Sequence, residues 1–163
     1  MEPPHELEVL IRSGHPLLAV ETHEEERLED ALQRIAKRHG LSYIVWTAGE
    51  GLRRDGHDRG LYDSKEPEKA LRNIRDLTLD GVWLFKDLHR YLESPELLRQ
   101  LRELAGQKTR NRRTIVLAGP KLELPPLIEK VAVRWRMALR GVERNPRRTV
   151  YTIVGVVLSL TLV

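Results

Sequence analysis

The chain has no cysteine, which excludes disulfide scaffolds and any zinc site built on thiolates. Aromatic residues make up only 5% of the 163 positions, with a single Phe, so the core has to be built mainly from aliphatic side chains. No Gly-Lys dipeptide occurs anywhere, and no glycine lies between Gly14 and Gly40. Both absences bear on nucleotide chemistry. A phosphate-cradling loop needs Gly-x-x-x-x-Gly-Lys-Ser/Thr: glycines let backbone N–H groups wrap the phosphates, and the lysine neutralises the outer ones. The opening stretch, MEPPHELEVLIRSGHP, lacks a basic segment followed by an apolar core. No secretory signal is therefore expected, and a cytoplasmic address is the default.

Hydrophobic residues at 40% and charged residues at 32% fit one soluble domain with a sizeable core. The net charge of +4 is unevenly spread. Six of the 28 basic residues and one of the 24 acids lie beyond residue 130, leaving 22 against 23 before it. The body is close to neutral, so the concentrated basic face that nucleic acid demands is not expected.

Periodicity alternates along the body. PLLAV (16–20), LSYIVWTA (41–48), GVWLFKD (81–87) and RRTIVLAGP (112–120) are apolar runs of strand length. Between them, 22–40, 67–78 and 94–106 carry apolar residues at helical spacing, and residues 1–13 add a leading helix with Leu7, Leu10 and Ile11 apolar. Thr22 with Glu25 reads as a capping box, Gly40 as a helix stop, and Ser94–Pro95 as an N-cap followed by a first-turn proline. The polar stretch GEGLRRDGHDRGLYDSKE reads as a long loop, with His57 and Asp58 in a solvated connection. Near-continuous apolar strands alternating with helices imply an α/β fold: a mostly parallel sheet of at least four strands with helices on both faces.

Ligands of such sheets sit at the carboxyl ends of the strands. Those ends carry Glu21, Thr22 and His23, then Thr47, then Asp87 and His89, then Gly119 and Pro120. Asp87, His89 and Glu21 are the catalytic candidates, Thr22 and His23 the cofactor-binding ones, and Asp87 the metal candidate. Two histidines and two carboxylates converging there would suit a divalent metal or acid–base chemistry. Solvated strand ends and turn residues are the plainer alternative.

GVWLFKD has the shape of a magnesium-holding nucleotidase strand, but Lys86 interrupts it before Asp87, and Leu88 stands where a water-polarising glutamate often does. Behind the first strand, where a phosphate loop belongs, lies THEEER, whose three glutamates repel a triphosphate. HEEER also fails as H-E-x-x-H, since Arg27 replaces the second histidine. Glu21, Asp87 and Lys121 loosely echo a phosphoacceptor receiver. Glu21 with Asp87 and His89 echoes the Glu and Asp-x-Asp of nucleotidyl-transferase/topoisomerase-type domains. Both echoes are partial.

Taken together, HPLLAVETHEEERLEDALQRIAKRHGLSYIVWTAGEGLRR, YDSKEPEKALRNI, VWLFKDLHRYLESPELLRQLREL and RRTIVLAGPKLELPPLIEK resemble the N-terminal region of a bacterial AAA-type ATPase family. That family includes the conserved chloroplast and cyanobacterial reading-frame proteins. The resemblance covers roughly residues 5–130 and implies a degenerate P-loop, RecA-like three-layer sandwich that precedes a complete AAA module. No such module follows within this sequence, so Mg-ATP is implied by family alone and no cofactor is predicted from motifs. The resemblance implies a non-catalytic accessory or interaction domain, with a protein partner or an AAA module to bind. The alternative is a nucleotidase-type enzyme using the acids at the sheet's carboxyl edge.

Residues 131–163 read as a separate tail, basic first and then apolar in VYTIVGVVLSLTLV (150–163). Fourteen residues fall short of the roughly 20 that span a bilayer as a helix. Three readings stay open: a strand that completes the sheet, a membrane tether flanked by arginines, and a truncation or frame-shift product.

Overall fold

A computed structural model describes residues 4–61, 63–107 and 111–136. Six strands and five helices follow the order α1 (His5–Arg12), β1 (Leu17–Glu21), α2 (Glu25–Arg38), β2 (Ser42–Thr47), β3 (Gly51–Arg54), α3 (Pro67–Asp76), β4 (Gly81–Lys86), α4 (Pro95–Gly106), β5 (Arg113–Gly119), α5 (Pro126–Glu129) and β6 (Val133–Arg136), with a 3-10 turn at Leu88–Tyr91. The strands form one sheet in the order β3-β2-β4-β5-β1-β6. Among the described residues only the β2–β3 pair is antiparallel. The fold is α/β with a mostly parallel sheet, consistent with a P-loop or RecA-like sandwich.

The period-two alternation of each strand divides the core into two sheets of side chains. Leu17, Ala19, Ile44, Trp46, Trp83, Phe85, Ile115 and Leu117 face one way and meet Leu71 and Ile74 of α3, Leu97 and Leu101 of α4, and Ile128 of α5. Leu18, Val20, Tyr43, Val45, Val82, Leu84, Val116 and Ala118 face the other way and meet Leu7, Leu10 and Ile11 of α1 and Leu28, Leu32 and Ile35 of α2. Because both faces are covered, the strands are apolar throughout rather than alternating with polar residues.

Local signals mark most helix ends. Ser94 Oγ accepts the N–H of Leu97 at 3.3 Å ahead of Pro95, capping α4. α2 closes in a Schellman motif: Gly40 takes φ 65°, and Leu41 N–H donates to the Ala36 carbonyl at 2.8 Å. The expected capping box does not form. Helix α2 begins at Glu25, and Thr22 Oγ1 instead accepts the N–H of Glu24 at 2.9 Å, ordering the turn that leaves β1.

Two strands not located in the sequence, β3 and β6, join the four that were, in keeping with a sheet of at least four. β3 lies in the polar stretch expected to be a loop, because its inward face presents only Leu52. Its backbone is held by Ser64, which is 1% exposed: Leu52 N–H donates to Ser64 Oγ at 2.8 Å, and Trp46 Nε1 donates to the Ser64 carbonyl at 2.8 Å. β6 runs past residue 130, where the body was expected to end, and pairs in parallel with β1 while Val133 and Trp135 enter the α1–α2 side of the core. The apolar segment 150–163 lies outside the described residues. Among the described residues no helix is long and apolar enough to cross a membrane.

Candidate functional site

Among the described residues the strand order switches direction at the sheet's carboxyl edge between β1 and β5, the place where α/β sheets form a crevice. β1 sends α2 to one face, while its neighbour β5 sends α5 to the other, so the loops part between them. The crevice is stitched by the protein's own groups. Thr22, 5% exposed, donates its backbone N–H to the Gly119 carbonyl at 2.9 Å. Glu21 Oε2 accepts the N–H of Leu122 at 3.4 Å, and its carboxylate faces Arg134 at 3.6 Å and Arg136 at 3.7 Å. Arg134 is further tied to Glu129, whose hydrogen bond is the main reason its pKa is raised.

Charge at the head of α2 is opposite to what phosphate requires. Glu24, Glu25 and Glu26 occupy the turn and first positions, where their carboxylates suit the positive end of the helix dipole and occupy it. Lys86, the last residue of β4, is drawn to them: it hydrogen-bonds Glu29 and lies 3.6 Å from Glu25. Burial disfavours its charge, but the Glu29 and Glu25 carboxylates outweigh burial and hold its pKa above the ordinary lysine value. Lys86, the cation that ends β4 beside the head of α2, is thus neutralised from within.

Asp87 follows β4 in a left-handed conformation, φ 57° and ψ 20°, and donates its N–H to the Ala118 carbonyl at 2.9 Å. Its Oδ1 is buried and accepts no hydrogen bond, with Arg90 at 3.9 Å. His89 sits in the following 3-10 turn with its Nδ1 buried and also without a hydrogen-bond partner. The His89 ring lies against Gly119 so closely that a Cβ on that glycine would stand 2.8 Å from Cε1. His23 is exposed on the turn after β1, and Thr47 ends β2, where its Oγ1 accepts the N–H of Glu50 at 3.2 Å. Among the described residues no three His, Asp or Glu side chains gather as a group that could hold a metal ion. The edge therefore brings Glu21 and Thr22 to the crevice mouth and Asp87 and His89 to its β4–β5 side, while His23 stands apart.

Sequence reasoning missed Arg134, Arg136 and Glu29 as parts of this edge. The alternation Val-Arg-Trp-Arg at 133–136 is a strand signal that could have placed both arginines on one face opposite Val133 and Trp135. Glu29 carried no local signal, because only the packing of α2 over β4 brings it to Lys86.

Residues 4–137 match the SpoVK-like AAA ATPase N-terminal domain family. The chain belongs to that family. The match reaches the end of β6, so the resemblance continues past residue 130, where it was expected to stop. Relatives include two uncharacterized AAA domain-containing proteins ycf46. That of Guillardia theta is 31% identical over 126 residues, covering 74% of this chain and 24% of that protein. That of Pyropia yezoensis is 28% identical over 123 residues, covering 74% of this chain and 25% of that protein. The chain thus spans about a quarter of the length of these relatives.

Proposed function

We propose that this chain is a non-catalytic accessory domain of the AAA family, built on a degenerate P-loop scaffold and serving to bind a protein partner or an AAA module in the cytoplasm. The observation that carries this is the stitched crevice behind β1. Where a phosphate cradle would lie, the chain supplies Glu21, Glu24 and Glu25, a Thr22 N–H already given to Gly119, and a Lys86 already paired with Glu29. A triphosphate entering there would meet like charge and spent donors. Kinship to the N-terminal part of AAA ATPases supports an accessory role beside such a module.

Calorimetric titration of the full chain with Mg-ATP tests the proposal. No heat of binding up to millimolar nucleotide is expected, together with no phosphate release. A micromolar or tighter dissociation constant would overturn it.

A second reading is a nucleotide- or metal-binding enzyme using Glu21, His23, Asp87 and His89. The observation in its favour is the pair of buried, unpartnered atoms, Asp87 Oδ1 and His89 Nδ1. A thermal-shift comparison with Mg²⁺, Mn²⁺ and Zn²⁺ separates the two. Stabilisation of the wild type that is lost in Asp87→Ala favours the metal site; equal responses of the two proteins exclude it.

A further inference from the structure

The two edges of the sheet are treated differently. The outer edge of β3 is covered by its own loop: Leu61 N–H donates to the Leu52 carbonyl at 2.7 Å, and Ser64 Oγ accepts the Leu52 N–H at 2.8 Å. Both backbone groups of Leu52 are thereby used, and exposed Arg53 and Arg54 flank them, the usual means of blunting an edge. β6 at the opposite edge pairs with β1 alone among the described residues. Among the described residues no backbone hydrogen bond reaches its far side, and its four residues, Val-Arg-Trp-Arg, include no proline.

The side chains of β6 define what would fit beside it. On one face Val133 and Trp135, both 5% exposed, continue the apolar row of β1 beneath α1, where Trp135 Nε1 donates to Glu6 at 3.4 Å. On the other face stand Arg134 and Arg136. Arg134 is occupied by Glu129 and Glu21, whereas Arg136 has a side chain 75% exposed and, among the described residues, pairs with Glu21 at 3.7 Å. An incoming strand would therefore gain from apolar or β-branched residues beside Val133 and Trp135, and from an acid beside Arg136.

We propose that β6 is a strand-addition surface that takes an extended segment of a protein partner, apolar at alternate positions and acidic between them. Main-chain hydrogen bonds to the open edge supply the affinity. The alternation of β6 supplies the register, and Arg136 supplies the charge preference. This surface gives the accessory role a specific place for its partner. It rests on that role only for the expectation that a protein is bound. Tight Mg-ATP binding would remove the accessory role without touching the strand experiment.

The test uses the full chain with three capped hexapeptides: alternating Val-Glu, alternating Val-Lys, and a block isomer of the first with three Val followed by three Glu. Amide hydrogen exchange and backbone NMR report on residues 133–136, with calorimetry for affinity. The alternating acidic peptide is expected to protect the β6 amides that point away from β1 and to bind roughly tenfold more tightly than the lysine peptide or the block isomer. Arg136→Glu should invert the charge preference. The proposal is overturned if no peptide protects β6, or if the preference survives Arg136→Glu. It is also overturned if the β6 amides that point away from β1 are already protected in the free chain at high dilution, which would mean another segment of the chain covers the edge. Protection that appears only with rising protein concentration and with dimer formation would give the edge to a second copy, and that too overturns it.

Discussion

Gly119 offers a sharp test of how tightly the crevice is closed. No unusual backbone conformation demands glycine there, so the cost of Gly119→Ala is steric. The new Cβ would stand 2.8 Å from His89 Cε1, 3.1 Å from His89 Nδ1 and 3.2 Å from Leu122 Cδ2. Ordinary contact begins near 3.4 Å, so the ring has to move by about half an ångström or more while Leu122, 3% exposed, resists from the other side. Overpacking of this kind costs about 1–3 kcal/mol. For a chain of this size, ~2 kcal/mol corresponds to a fall in Tm of about 4–8 °C. His89→Ala alone removes a ring whose buried Nδ1 has no partner, so it should cost less than about 1 kcal/mol. The double variant should recover most of the Gly119→Ala loss, giving a coupling of about 1–2 kcal/mol. Urea unfolding followed by tryptophan fluorescence measures all four proteins, since Trp46, Trp83 and Trp135 are all buried. If the two losses simply add to within about 0.5 kcal/mol, His89 is not packed on Gly119 and the closed crevice is wrong.

Three further outcomes follow from single residues. Ser64→Ala removes the acceptor of the Leu52 N–H inside the fold and should cost about 1–3 kcal/mol, read as a lower urea midpoint, with β3 amides the first to lose exchange protection. Asp87→Gly relieves a left-handed non-glycine residue and deletes an unsatisfied buried oxygen, so the thermal midpoint should rise by the equivalent of about 0.5–1 kcal/mol; Asp87→Val should lower it. Glu8 joins α1 to the end of α2 through His39 at 2.8 Å and Arg38 at 2.9 Å; its pKa lies below the ordinary 4.5 chiefly because of the His39 hydrogen bond, with burial opposing. A lowered carboxylate pKa contributes stability above pH 4.5 and loses it as pH falls through the folded value, so Glu8→Gln should be less stable than wild type at pH 7, and the gap should narrow steadily as pH is lowered below 4.5 in urea unfolding.

The sequence by itself determined the alternation of β1, α2, β2, α3, β4, α4 and β5, because near-continuous apolar runs and 3.6-residue spacing are local properties of the chain. It also determined the Ser94 cap, the glycine stop of α2 and the absence of a phosphate loop, each of which resides in a few adjacent residues. The fate of Thr22 was not local: its backbone is spent on Gly119, 97 residues away, and its hydroxyl serves the turn instead of the helix. β3 escaped notice because Leu52 is its single inward anchor; its pairing with β2 and the Ser64 hydroxyl that takes the Leu52 N–H on its outer side are both set by tertiary structure. β6 escaped because a four-residue strand between arginines reads as a basic tail until β1 pairs with it. The carboxyl edge was legible as a set of residue types, with Glu21, Thr22, Asp87 and His89 all at strand ends. Tertiary structure alone decided what they do there: strand order sets Glu21 against Arg134 and Arg136, Lys86 against Glu29, and His89 against Gly119. Charge pairing and close packing across distant segments are consequences of topology, and no window of sequence contains them.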